Sequence, residues 1–276
     1  MKRLVIILAA VLAGFTASAG TVTKNFDNLK KFTGIQISNS FDATLIQSDN
    51  WSARVTIDTD YEEYLDVSVV GNILYVRLKD MPRRLKDLTR KTMKVTICTP
   101  SLNQIHLTGA VRLQSNDKWE SPMEKFTLDL SGAAKAEKLY ISGMELKADI
   151  SGASNGTVLG DFADLDVDIS GASAIFFNGS FSEIDVDASG TSKVSIMGKA
   201  DSIESECSGT SLLDAAQLSV DSADIACSGA SKATIDVNKR LEVNLTGAST
   251  CHYSSKNPSL EVVPSVSRAS SFKKVN

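Results

Sequence analysis

Histidine and tryptophan are scarce in this chain, two of each in 276 residues, and aromatic residues make up only 6% of it. That shortage removes much of the side-chain chemistry on which enzymes and sugar-binding platforms draw. The four cysteines, Cys98, Cys207, Cys227 and Cys251, fit no CxxC metal knuckle. Positive charge is also in deficit. The chain has 29 Lys plus Arg against 33 Asp plus Glu; without Lys2 and Arg3 the balance is 27 to 33, a net of −6, which speaks against a nucleic-acid binder that tracks phosphates. The one basic concentration, Arg83, Arg84, Lys86, Arg90 and Lys91, reads as a solvated loop or short helix. With 42% apolar and 22% charged residues the chain is neither disordered, nor collagen-like, nor a polytopic membrane protein. Its length is ample for a sizeable core.

The N-terminus carries Lys2 and Arg3, an apolar run over residues 4–13, and the small residues Ala17-Ser18-Ala19. This is the layout of a secretory signal, and it predicts cleavage after Ala19. The apolar run is too short to span about 30 Å of hydrocarbon comfortably, and no second one follows. No cysteine near the cleavage point marks a lipid anchor. The mature chain, 20–276, is expected to be exported, to the periplasm or the cell surface, with no membrane-spanning segment.

One phrase recurs through the second half: LTGAV at Leu107, LSGAA at Leu130, ISGAS at Ile150 and Ile169, ASGTS at Ala188, CSGTS at Cys207, CSGAS at Cys227 and LTGAS at Leu245. Its glycines fall at 109, 132, 152, 171, 190, 209, 229 and 247, with intervals of 23, 20, 19, 19, 19, 20 and 18. Between them the sequence alternates, as in Leu165-Asp166-Val167-Asp168-Ile169, which is the two-residue period of a strand buried on one face. Helical spacing is absent. A unit this short cannot bury its apolar face alone, but stacked copies provide each other with floor and ceiling. A propeller blade needs about 40 to 50 residues, and a leucine-rich repeat needs its own Leu/Asn consensus. Parallel crossovers are overwhelmingly right-handed. The expected fold is therefore an all-β, right-handed parallel β-helix with coils of about 19–20 residues. Residues 20–100 supply an irregular, strand-rich N-terminal cap with a hairpin at Gly71-Asn72, 101–253 the regular repeats, and 254–276 a C-terminal cap.

The serial SGAS and SGTS phrases, the opening Phe32-Thr33-Gly34-Ile35 through Phe41-Asp42-Ala43, and the signal resemble the head GIN domain family of auto-transporter adhesins, exported proteins of Bacteroides-like bacteria. The resemblance covers essentially the whole mature chain. It implies a β-helical fold and a surface or adhesive role, and it brings no catalytic residues with it. In one respect the sequence departs from the family's name, since no part of it reads as a membrane translocator barrel.

Stacking turns sequence columns into spatial rows about 4.8 Å apart. Two residues before each glycine lie Leu107, Leu130, Ile150, Ile169, Ala188, Cys207, Cys227 and Leu245, an inward row. Cys207 and Cys227 are then core neighbours, either bridged or simply packed as small apolar groups. Three residues before the glycine come Asp129, Asp149, Asp168, Asp187 and Glu206, and five before it Asp166, Asp185, Glu204, Asp224 and Glu242. Both columns point outward on one face. Adjacent carboxylates repel by about 1 kcal/mol per pair in bulk water, so this face attracts cations, and weak Ca²⁺ binding is one expectation. The other is a solvated face that resists aggregation. Serine columns flank the glycine and suit tight turns.

No Ser-His-Asp set, zinc set or phosphate loop is present. His106 and His252 lie about seven coils apart, over about 30 Å, too far to share a site. His106 is expected to face solvent and His252 to decorate the terminal coil. Two functions from different classes remain. The first is a non-catalytic exported interaction protein, adhesin-like, that presents a repetitive acidic and hydroxylic face to a cell-surface, matrix or glycan partner. The second is a polysaccharide lyase or hydrolase built on the same scaffold, because carboxylates about 5 to 9.5 Å apart can split glycosidic bonds. Such spacings are generic to a ladder, and periods near 19 leave no room for cleft walls. The first is favoured.

Overall fold

The computed structural model describes residues 20–85, 87, 88 and 91–275. The expected signal at 1–19, and Lys86 and Arg90 of the basic stretch, lie outside the described residues. Among the described residues twenty strands join in one continuous sheet that winds as a β-solenoid.

Alternation in the sequence becomes two long rows of parallel pairing. On the first face, Ile73–Leu78 pairs with Gly34–Asn39, which pairs with Gln104–Gly109. The row then continues through the strand segments that precede each glycine, as far as Glu261–Val266. On the second face the segments that follow each glycine pair in the same way, ending at Ser271–Lys274. Long strands serve both faces. Ala174–Ala188 pairs first with Asn155–Leu159 and then with Phe162–Ile169, so a single strand wraps a corner of the coil.

Glycine dictates the first corner. From Gly132 to Gly247 each repeat glycine sits on the one before it, with φ between +69° and +79°. A Cβ at Gly171 would lie 2.4 Å from the Gly152 carbonyl oxygen, a separation no side chain tolerates. The coil beneath uses Asn39 at the equivalent place, in register with Gly109 and at φ +78°; asparagine is one of the few residues that adopts this conformation readily. Its Oδ1 accepts a hydrogen bond from the Leu78 amide at 2.8 Å. A second glycine column, Gly160, Gly179 and Gly198, marks another corner, where a Cβ on either of the last two would lie 1.8 Å from a carbonyl oxygen of the glycine below.

The inward row from Leu107 to Leu245 is 0–2% exposed and forms the spine of a core that runs the length of the molecule. Cys207 and Cys227 are in register within it and are free thiols. Burial and the hydrogen bond to Cys207 push the Cys227 thiol up, the hydrogen bond being the larger cause. Burial raises Cys251 to about 12. The serines two residues after the glycine point inward and are buried; Ser249 Oγ donates to the Cys227 carbonyl at 3.1 Å and Ser231 Oγ to the Cys207 carbonyl at 3.0 Å, whereas the Ser154, Ser192 and Ser211 hydroxyls have no hydrogen-bond partner among the described residues.

The N-terminal part departs from coil-by-coil order. Gly34–Asn39 lies between Ile73–Leu78 and Gln104–Gly109, and Asp42–Gln47 in parallel between Met93–Thr99 and Arg112–Ser115, whereas other strands of this part pair antiparallel. Ser52–Asp58 pairs with both Thr21–Phe26 and Met93–Thr99, and Leu65–Val70 with Ile73–Leu78 through the Gly71-Asn72 turn. Tyr61, in the short helix Thr59–Tyr64, is buried and donates its hydroxyl to the Asp87 carbonyl, while Met81, Leu85 and Leu88 pack on the same end of the core. Arg83 and Arg84 stand in a single helical turn, and Lys91 pairs with Asp58 at 3.3 Å and Asp60 at 3.5 Å.

Candidate functional site

The two carboxylate columns read from the sequence come into register on the first face. Asp149, Asp168, Asp187 and Glu206 are successive partners, and so are Asp166, Asp185, Glu204 and Asp224. None of the eight is buried. A third column lies farther from the glycine on the same face. Glu145, Asp164 and Glu183, seven residues before it, are likewise successive partners.

Beside the first column runs a groove of about 680 Å³. One wall is Asp149, Asp168, Asp187 and Glu206; the other is the hydroxyl row Ser151, Ser170, Ser189, Ser208, Ser228 and Thr246, and the strand that carries the inward row forms the floor. The geometry follows from the pleat, since residues on either side of an inward residue both face out. A long, shallow trough along the axis, repeating its chemistry at each rung, suits an extended ligand better than a compact one.

Cations stand in neighbouring columns towards either end of the acidic rows. Lys147 bonds Asp166 at 3.2 Å and Asp168 at 3.4 Å, and Arg240 bonds Glu242 at 2.9 Å and Glu261 at 2.7 Å. Between them, among the described residues, Asp185, Asp187, Glu204, Glu206 and Asp224 have no ion-pair partner. Burial, followed by repulsion from Asp187, Glu204, Asp166 and Asp168, holds the Asp185 carboxyl above its ordinary range. Burial and Glu242 do the same for Asp224. Asp149 is raised by burial, with Asp129 and Asp168 adding to the effect against Lys147. Among the described residues, no group of three His, Cys, Asp or Glu side chains converges as a metal-ligand set.

His106 is more enclosed than its sequence context implies. It occupies the outward column, but the next coil places Asp129 beside its Nδ1 and Gln104 lies against its Nε2, leaving the side chain 23% exposed. On the second face the residues three after the glycine include Arg112, Lys135, Lys193 and Lys232, all exposed, so this column is basic where those of the first face are acidic. Among the described residues no helix is long and apolar enough to cross a membrane.

These features define a β-solenoid repeat protein with an open, axial groove of carboxylates and hydroxyls. The chain belongs to the family described as "Putative auto-transporter adhesin, head GIN domain", whose profile matches residues 31–179 and 161–258. No curated protein matches the sequence. Among solved structures the chain is similar to a "putative adhesin" from Parabacteroides merdae, at 15% identity and a TM-score of 0.67, covering 93% of this chain and 97% of that one. A "putative adhesin" from Parabacteroides distasonis gives 15% identity and 0.67, with 92% and 97% covered. A "putative lipid binding protein" from the same species gives 17% and 0.64, with 93% and 97% covered. At these identities the likeness is one of fold.

Proposed function

We propose that the protein is a non-catalytic, exported interaction protein that uses its rigid solenoid to hold the groove open to an extended partner, a glycan or matrix polymer at a cell surface. The observation that carries this reading is the unpaired central stretch of the groove, where Asp187 and Glu206 face Ser189 and Ser208 across the trough. Carboxylates and hydroxyls in fixed rows can accept hydrogen bonds from polyhydroxylated or cationic chains without any rearrangement of the protein, which keeps the ordering cost on the ligand. The adhesin description of the family supports the same reading. The rows also bind Ca²⁺ weakly along Asp149, Asp168, Asp187, Glu206, Asp166, Asp185, Glu204 and Asp224, since oxygen ligands suit calcium and the lack of a converging set among the described residues keeps each site weak.

Retention of purified protein on immobilised polysaccharides and on intact cells tests the reading. The double variant D187K/E206K is expected to lose retention at least tenfold, while Lys193→Glu on the second face leaves it unchanged. Equal loss from both variants, whose charge changes have opposite sign, would show that retention does not depend on the groove. Reproducible release of product from any glycan would replace this function with that of a carbohydrate-active enzyme.

A further inference from the structure

The last coil differs from those beneath it at the positions on which a further coil would have to be laid. Its inward residues Val262, Pro264 and Val266 cover Leu241, Val243 and Leu245, and Phe272 covers Cys251 and stacks on Tyr253 at 5.0 Å. Nothing among the described residues covers them in turn. Pro264 and Val266 are exposed, and Val262 and Phe272 are half-buried. In the N-terminal part, Tyr61 is buried and Met81, Leu85 and Leu88 pack against the core. An uncovered edge of this kind is a ready template for another strand.

Hydrogen-bond direction shows how the template is spoiled. The Ser267 amide donates back to the Leu245 carbonyl, so by the two-residue period the amide positions of 262, 264 and 266 face the open side. Position 264 is proline, which has no N–H to give and puts a ring where an incoming strand would lie. On the second face Ser271 and Val275 donate back to Ser249 and Tyr253, so Phe272 and Lys274 face the open side. Lys274 stands in the inward column above Tyr253, where another rung would have to bury its ammonium. The corner is altered as well. In VSRAS, at 266–270, Arg268 replaces the repeat glycine, and it lacks the left-handed φ of the glycines below.

We propose that Pro264 and Lys274 form a stop that keeps the open C-terminal rung from pairing with the same rung of a second copy of this chain. In a two-fold, antiparallel meeting centred on residue 264, Val262 of each copy faces Val266 of the other and the two prolines oppose one another. Both central donors are then missing and two lysines are desolvated. The wild-type chain therefore stays single, with its groove unobstructed along the whole length.

Light scattering coupled to gel filtration, over a range of concentrations, tests the stop on the mature chain. Wild type is expected to run as a monomer, and P264V/K274V to show at least a doubling of mass that rises with concentration. Lys274→Val alone, which leaves the backbone untouched, is expected to move in the same direction by less, and it serves should the double variant fail to fold. Adding Val266→Lys to the double variant is expected to restore the monomer. A double variant that is folded by circular dichroism yet monomeric overturns the proposal. So does a wild-type chain that already associates through this end, or a triple variant that remains associated.

Discussion

One added methyl group separates the two reasons for glycine in this chain. At Gly171, φ is +74° and a Cβ would meet the Gly152 carbonyl oxygen at 2.4 Å, whereas at Gly71, φ is +62° and a Cβ meets nothing within 4 Å. Gly171→Ala is expected to destabilise by about 2–3 kcal/mol and Gly71→Ala by about 1 kcal/mol, because only the first adds a steric clash to left-handed strain. Denaturant unfolding of the two variants reads the difference. The raised carboxyls make an opposite kind of statement. Asp149, Asp185 and Asp224 hold their protons more tightly in the folded than in the unfolded chain. Their contribution is complete below the ordinary aspartate value and is lost as pH rises through the raised values. Asp66 acts in reverse: burial pushes it up, but bonds from Lys79 and Arg77 together hold it below its ordinary range, so its stabilisation is lost in acid. The melting temperature is expected to rise as pH falls from neutral towards the ordinary aspartate range, and Asp185→Asn to add about 1–2 °C at neutral pH and little in acid, a scale set by solvent screening of exposed charge.

Strands were legible in the sequence where their partner is their own repeat. Leu165, Val167 and Ile169 point inward and Asp166 and Asp168 outward, as a two-residue period requires, because every rung repeats the same register. Corners were less legible. Gly160, Gly179 and Gly198 lie inside runs that read as alternation continuing or pausing, and nothing local distinguishes a bend within a strand from the gap between two. Asn39 hid one rung, since the phrase there is Ile37-Ser38-Asn39 and only its φ of +78° reveals the equivalence. The antiparallel pairing of Ser52–Asp58 was hidden for another reason, because alternation says which face a residue occupies and not which strand lies beside it. Pairing on both sides sets a gradient of protection. Amide exchange is expected to be slowest in Ala174–Ala188 and Lys193–Cys207 and fastest in Glu261–Val266 and Ser271–Lys274, where outward amides have no partner. Equal protection of the last coil would mean that something covers it.

The whole solenoid carries its charge unevenly, with unpaired carboxylates on one face and Arg112, Lys135, Lys193 and Lys232 on the next. Like charges along a row are relieved by screening, so sodium chloride is expected to raise the melting temperature, the reverse of a protein held by surface ion pairs. At matched ionic strength calcium is expected to raise it beyond magnesium; equal effects would show that the rows have no preference for calcium. The acidic rows themselves were readable before any coordinates, since they need only the repeat. The groove was not, because the columns three and one residues before the glycine read as separate rows until the structure shows an open trough between them over the buried row. A trough whose lining recurs at each rung also acts as a vernier. A polymer whose own period differs from the step of about 4.8 Å by roughly a tenth slides half a period out of phase within about five rungs. Commensurability, more than the identity of any single contact, then decides which chains can lie along it.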